Sequence, residues 1–121
     1  MISRAHRFHG YGSLRYVYQH GQVVRGPLTA IKYTQNDRRQ TYRAAVVVSK
    51  KVSKSAVVRN RIRRKLYEAI RHQEERITQP YDIVLTVFHE QVKDLSGEEI
   101  DKLVYTQLKQ AKILQPKVKS S

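Results

Sequence analysis

A basic stretch that also carries an apolar stripe limits what this chain can fold into. Residues 50–65 include eight Lys or Arg and no Asp or Glu. On a helical wheel, six apolar side chains of residues 55–77 fall within an arc of about 120°. These side chains are Val58, Ile62, Leu66, Ala69, Ile70 and Ile77. A flexible basic tail has no such stripe, so the stretch is predicted to be a helix that packs on a core and presents its cations outward.

Periodicity elsewhere in the chain predicts two further helices. Residues 13–20 carry apolar side chains at spacings of three and four, and Gly21 follows as a stop signal. The last helix begins after Ser96, because Ser96 and Glu99 have the spacing of a capping box, and it runs to residue 111.

Four segments rich in β-branched and aromatic residues predict strands. A short strand is expected around residues 23–24, and longer strands at residues 28–34, 41–49 and 82–88. Residues 44–48 are apolar at every position, which favours a central place in the sheet with both faces buried. The order α-β-β-β-α-β-α implies an α+β fold, a two-layer sandwich of helices packed on a mixed four-stranded sheet.

The chain is predicted to form one domain, residues 1–116, with a flexible basic tail at residues 117–121. The formal net charge is +14, and all of it comes from residues 1–76, which hold 18 Lys or Arg and 4 Asp or Glu. A polyanion relieves self-repulsion on this scale, so nucleic acid is the predicted partner. So small a domain has little room for a deep pocket, and no small-molecule substrate is expected.

Nothing in the sequence indicates a membrane partner. No segment approaches the run of about 18 apolar residues that a membrane span needs, and the apolar stripe of the basic helix is required for the core. The chain also lacks cysteine, which suits a reducing compartment. A cytoplasmic location is therefore expected.

The beginning of the basic helix carries charges that are unfavourable in an isolated helix. A helix amino terminus carries about half a positive elementary charge and favours acidic residues in its first turns. Here the first acidic residue is Glu68, and Arg or Lys residues precede it. Phosphate groups docked at this terminus would receive backbone N–H groups and Arg side chains together.

Residues suited to catalysis or metal binding are not arranged for either role. The spacing His6-x-x-His9 suggests zinc only weakly, because other ligands are missing nearby. Asp94, Glu98, Glu99 and Asp101 cluster around the predicted capping box, where a structural role is sufficient. No phosphate-binding loop or nucleophile motif is present. The protein alone is expected to have no catalytic residue, no metal site and no cleavage activity.

The central segment resembles the signature of a known family. Residues 49–64 read Ser-Lys-Lys, a four-residue spacer, then Ala-Val-Val-Arg-Asn-Arg-Ile-Arg-Arg. This pattern closely resembles that of the bacterial ribonuclease P protein component, and the likeness extends over nearly the whole chain. There are two departures: the family usually has Phe where this chain has Leu14, and the spacer differs from that of some members.

The resemblance implies an accessory subunit of a ribonucleoprotein that removes the 5′ leader of precursor tRNA, with catalysis by the RNA. Mg²⁺ would be bound mainly by that RNA. Contacts to the ribonuclease P RNA would come from Arg59, Asn60, Arg61, Arg63, Arg64 and Lys65. A cleft between the first helix and the sheet would hold the leader through Leu14, Tyr18, Ile31, Tyr33, Lys50, Lys51 and Lys54.

Two other functions are compatible with parts of the pattern. A structural RNA-binding protein of ribosomal type would share the same distribution of charge and have no role in turnover. A free metal-dependent nuclease would also bind nucleic acid, but the missing ligands argue against it.

Overall fold

The computed structural model describes residue 6 and residues 11–114, with side chains described at residue 6 and from residue 14 onward. The predicted order α-β-β-β-α-β-α is confirmed. The helices are α1 (Tyr11–His20), α2 (Ala56–His72) and α3 (Gly97–Gln110), and the strands are β1 (Gln22–Arg25), β2 (Thr29–Gln35), β3 (Arg43–Val47) and β4 (Tyr81–Val87). The predicted tail, residues 117–121, lies outside the described residues. Within the described part, no helix is long and apolar enough to cross a bilayer.

The four strands form one mixed sheet in the order β1-β2-β4-β3. Strands β1, β2 and β4 pair antiparallel, whereas β3 runs parallel to β4. Parallel neighbours need a crossover connection, and α2 supplies it. In the register, Lys32 lies opposite Val23 on one side and Val84 on the other. Because side chains alternate along a strand, these three share one face of the sheet.

The opposite face carries the main core. Ile31, Ile83 and Leu85 are completely buried there and pack in one cluster with α2 and α3. The helix residues of that cluster include Ile62, Leu66, Ala69, Ile70, Ile100, Val104 and Leu108. We call this the core face. Helix α1 lies on the other face, against β2 and β4, with Val17 completely buried.

The prediction that the third strand is central was wrong, since β3 lies at an edge of the sheet. Its residues are nevertheless almost all buried, because α2 packs against this strand. The Tyr67 hydroxyl of α2 accepts a hydrogen bond from the Val46 N–H at 3.1 Å. A strand whose outer edge is covered by a helix therefore has the same uninterrupted apolar sequence as a strand that lies between two other strands.

The stripe of the basic helix is confirmed, but the helix is shorter than predicted. Ile62, Leu66 and Ile70 are completely buried, and Val58 is half-buried. Helix α2 ends at His72, and a 3₁₀ turn follows at Glu74–Arg76. Ile77 is buried although it lies beyond the helix. The tighter turn returns it to the core, so helical periodicity alone overestimates the length of the helix.

The end of α1 is fixed by a close approach to β2. The Gly21 N–H donates to the Val17 carbonyl at 2.7 Å. A Cβ at Gly21 would lie 2.5 Å from the Val17 oxygen and 3.0 Å from the Tyr33 oxygen. Only glycine fits between these two backbones, so α1 stops here and stays close to the sheet.

A buried ion pair joins β3 to β4. The Arg43 guanidinium donates to both carboxylate oxygens of Asp82, at 2.9 and 2.8 Å, and the Asn36 amide donates to Asp82 at 2.9 Å. The two charged side chains are 8% and 4% exposed. The Asp82 carboxylate therefore has its lone pairs satisfied inside the protein.

Replacing Asp82 with Ala should lower the free energy of unfolding by about 3–5 kcal/mol, because it leaves a buried guanidinium without its counter-charge. Denaturant unfolding followed by circular dichroism measures the change. The matched control is Asp94→Ala, at an exposed position, and its effect should stay within about 0.5 kcal/mol. Equal losses in the two variants would contradict the structural role of the pair.

Candidate nucleic-acid interface

Helix α2 begins at a capped amino terminus that is surrounded by cations. The Ser55 hydroxyl accepts a hydrogen bond from the Val58 N–H at 3.3 Å, and the first turn contains no acidic residue. The loop from β3 to this cap carries Lys50, Lys51 and Lys54, all exposed. Backbone donors and positive side chains thus point to the same region, which suits an anionic ligand.

Two of the cations predicted to contact RNA are held by backbone carbonyl groups. The Arg59 guanidinium donates to the Ser53 oxygen at 2.9 Å and to the Lys54 oxygen at 3.0 Å. The Lys65 ammonium donates to the Lys93 oxygen at 2.8 Å. Arg59 therefore fixes the loop that precedes α2, and Lys65 ties α2 to the 3₁₀ turn at Glu90–Asp94.

The other predicted side chains are less constrained. Asn60, Arg61 and Arg64 are exposed, and Arg63 donates to the side-chain oxygen of Asn60. Within the described part of the chain, none of the four arginines of this motif forms an ion pair with a carboxylate. We call the exposed set the basic edge; it comprises Lys50, Lys51, Lys54, Asn60, Arg61 and Arg64.

A groove lies beside α1 on the face of the sheet that α1 crosses, and we call it the sheet groove. Its lining residues are Tyr18, Val23, Arg25, Ala30, Lys32, Thr86 and Phe88. Two cations sit over aromatic rings in it. The Lys32 ammonium lies 5.3 Å from the centre of the Tyr18 ring, and the Arg25 guanidinium lies 5.2 Å from the centre of the Phe88 ring.

The lining of the sheet groove is suited to a single-stranded nucleic acid. Tyr18 is 41% exposed and Phe88 is 36% exposed, so both rings offer surface for stacking. Lys32 also donates to the Tyr18 carbonyl at 3.1 Å, which fixes its position beside the ring. No acidic side chain is among the described residues that line the groove. Aromatic rings alternating with cations are the usual means of binding single strands.

The sheet groove and the basic edge lie at the same end of the sheet. In the parallel pair of β3 and β4, Val47 lies opposite Thr86. The chain therefore leaves β3 at the end where Thr86 and Phe88 line the groove, and it enters the loop with Lys50, Lys51 and Lys54. A polyanion lying in the groove would reach these lysines first and the amino terminus of α2 next.

Four of the predicted leader-binding residues are divided between the two faces of the sheet. Tyr18 lines the sheet groove, and Leu14 is half-buried on the same helix. Ile31 is completely buried in the core cluster, and Tyr33 packs against that cluster on the same face. The structure thus places Ile31 away from any surface. Tyr33 is separated from Tyr18 by the sheet.

Sequence reasoning missed Arg25, Lys32 and Phe88. The signal that could have identified Lys32 is the alternation of side chains along β2. Lys32 lies between Ile31 and Tyr33 and must therefore face the opposite side of the sheet. If Ile31 is assigned to the core, Lys32 follows as the residue nearest Tyr18. Arg25 and Phe88 become neighbours only through strand pairing, which the sequence alone does not supply.

Several other titratable residues have structural partners. The Glu99 carboxylate accepts the Ser96 N–H in the predicted capping box, which holds the pKa of Glu99 below its usual range. His72 contacts Asp101 at 2.9 Å and links α2 to α3. The His6 ring stacks on Tyr42, and His9 lies outside the described residues. In the part of the chain that is described, no three His, Asp or Glu side chains gather as a metal site would require.

Known proteins resemble this chain over most of its length. The model of the ribonuclease P family matches residues 2–112. The ribonuclease P protein component of Chloroflexus aurantiacus is 34% identical over 113 residues, which are 93% of this chain and 82% of that protein. The corresponding protein of Clostridioides difficile is 36% identical over 100 residues, covering 82% of this chain and 85% of the relative.

A solved structure shares the fold. The RNase P protein of Staphylococcus aureus superposes with a TM-score of 0.82 at 25% identity, covering 93% of this chain and 100% of that one. The region that the family model matches, residues 2–112, includes α1, all four strands, α2 and α3. In sequence and in structure alike, the chain belongs to the ribonuclease P protein family.

Proposed function

We propose that this protein is the RNA-binding subunit of a ribonuclease P and supports endonucleolytic removal of the 5′ leader from precursor tRNA. The α2 residues of the basic edge bind the catalytic RNA. The sheet groove binds the single-stranded leader, together with Lys50, Lys51 and Lys54 of the loop before α2. The observation that supports this most directly is the placement of both surfaces at one end of the sheet. The same end of the protein can thereby contact the RNA subunit and the leader together.

The basic edge is suited to a folded RNA. Such an RNA presents mainly phosphates and an overall shape, since its bases are paired. Arg61 and Arg64 are exposed, and a guanidinium binds phosphate through two parallel hydrogen bonds, which an ammonium cannot do. The amino terminus of α2 adds the positive end of the helix dipole. Asn60 belongs to the same surface, and Arg63 lies next to it and donates to its side-chain oxygen.

The sheet groove is suited to a strand whose bases are unpaired. Tyr18 and Phe88 offer ring surfaces for stacking, and Lys32 and Arg25 lie beside those rings to meet phosphates. Lys50, Lys51 and Lys54 extend the positive path beyond the groove toward α2. Leu14, on the helix that borders the groove, replaces an aromatic ring of the family with an aliphatic side chain, so stacking here depends on Tyr18.

The cleavage chemistry is assigned to the RNA subunit. Hydrolysis of a phosphodiester with Mg²⁺ needs carboxylate or phosphate oxygens arranged around the ion. The described residues bring no such set of carboxylates together. Mg²⁺ is therefore proposed to be held mainly by the RNA, while this chain neutralises phosphates and positions the leader.

Reconstitution tests the proposal directly. Precursor tRNA is incubated at low Mg²⁺ with a bacterial ribonuclease P RNA, with and without this protein. We expect clear stimulation of leader removal, because cations of the protein offset repulsion between the two RNAs. Absence of stimulation would reject the role in turnover and favour a purely structural RNA-binding protein. Cleavage by the protein without RNA would favour a free nuclease.

The double variant Arg61→Gln with Arg64→Gln should weaken binding to the RNA subunit and reduce its salt dependence. Each lost phosphate contact lowers the slope of log K against log salt by about 0.7–0.9, so the slope should fall by about 1.5. Filter binding over a salt series measures it. Arg38→Gln with Arg39→Gln removes the same charge from another exposed loop. An equal change in that control would show a general effect of net charge.

Tyr18→Ala should weaken binding of leader-bearing precursor tRNA by about 1–3 kcal/mol, the contribution of one stacked base. Binding of mature tRNA to the reconstituted complex should stay unchanged. Tyr16→Ala is the matched control, because Tyr16 is 54% exposed on the same helix and does not line the sheet groove. Equal losses with precursor and mature tRNA would contradict the assignment of the groove.

A further inference from the structure

A second groove lies at the opposite end of the sheet from the basic edge, and we call it the far groove. Its lining includes Tyr33, Tyr81, His20, Gln22, Gln110 and Lys112. It lies where β2 ends and β4 begins, since Gln35 lies opposite Tyr81 in the register. Neither the basic edge nor the sheet groove includes any of these side chains.

Two tyrosines form the aromatic part of the far groove. The rings of Tyr33 and Tyr81 meet edge to face, with centres 6.2 Å apart and planes at 74°. Both residues are half-buried, so each is held by packing while part of it faces the groove. The Tyr33 hydroxyl donates to the Gln22 side-chain oxygen at 3.0 Å, which orients that amide. The rings are thus fixed before any ligand arrives.

The charge around the far groove is positive. Lys112 is exposed, and no carboxylate is among the described residues of the lining. Tyr105 lies on α3 before Gln110, and two cations lie over its ring. The Arg76 guanidinium is 5.4 Å and the Lys109 ammonium 5.8 Å from its centre. These neighbours lower the pKa of the Tyr105 hydroxyl, Arg76 through a hydrogen bond.

We propose that the far groove is a second binding site for single-stranded RNA. Bases stack on the exposed parts of Tyr33 and Tyr81, and a phosphate contacts Lys112. The amides of Gln22 and Gln110 each carry donors and an acceptor, which the edges of unpaired bases require. An acidic peptide would use the lysine and could pair its backbone with the amides, but its carboxylates would leave the two tyrosine rings without a stacking partner. The combination of groups therefore favours RNA over an acidic protein.

Two kinds of unpaired RNA share the chemistry that this site binds. His20, at the end of α1, follows Tyr18 by two residues and lines the far groove. A long single strand would reach it from the sheet groove only by passing around the end of α1 to the opposite face of the sheet. Alternatively, a separate unpaired segment of RNA binds there. The length of the probe distinguishes these sources.

Photo-crosslinking tests the site with the full chain and single-stranded RNA that contains 5-iodouridine. Probes of about four and about sixteen nucleotides span the usual range of site sizes for single-strand binders. After digestion, mass spectrometry identifies the crosslinked residues. We expect adducts at Tyr33 or Tyr81 in addition to Tyr18. Adducts at the far groove with the long probe alone would indicate one continuous strand, and adducts with both probes an independent site.

Absence of any adduct at Tyr33 and Tyr81, with Tyr18 labelled, would overturn this inference and leave the proposed function intact. Adducts at the far groove without Tyr18 would instead contradict the sheet groove as the leader site. If polyglutamate at equal charge concentration prevents far-groove labelling as well as unlabelled RNA does, the groove binds any polyanion through its positive charge alone. The RNA site is then rejected.

Lys112→Gln gives an independent measurement that does not disturb the core, because this side chain is exposed. Binding of the sixteen-nucleotide probe should lose about 0.7 from its salt slope, the value for one contact to a single strand. Lys102→Gln, on the first half of α3 and outside the far groove, is the control. An unchanged slope in the Lys112 variant, or an equal loss in both variants, would overturn the site.

Discussion

The parallel pairing of β3 with β4 is the constraint on which the rest of the structure depends. Parallel strands need a crossover, and the apolar stripe of α2 allows this helix to serve as one while covering β3. The crossover begins where β3 ends, so the amino terminus of α2 must lie at that end of the sheet. The basic segment is thereby brought beside the sheet groove. A different connection would separate the two positive surfaces.

The sequence was sufficient for features that depend on local pattern. The apolar stripe of α2 predicted which residues pack on the sheet, and the spacing of Ser96 and Glu99 predicted the capping box that begins α3. Gly21 marked the end of α1, and the structure supplies the reason, since a Cβ there would meet two backbone oxygens. These features follow from contacts within a few residues or from one periodicity, which a sequence displays directly.

Features that depend on which strands are neighbours could not be predicted in the same way. The apolar run of β3 does not say whether a strand or a helix covers its edge, and here α2 covers it. Ile31 was assigned to a binding cleft, yet it faces the core, because its side of β2 is set by pairing with β1 and β4. Arg25 and Phe88 are distant in sequence and meet only in the folded sheet.

The partners of the cations explain how a chain with a net charge of +14 can be ordered without losing its attraction for RNA. Arg59 and Lys65 donate to backbone carbonyls rather than to carboxylates. A carboxylate would fix these side chains but cancel their charge, whereas a carbonyl fixes them and leaves the full positive charge in the local field. The acidic residues are used elsewhere, at the cap of α3 and in the buried pair of Asp82 with Arg43. Because α2 carries no carboxylate before Glu68, the end of the molecule at the amino terminus of α2 stays attractive to a polyanion.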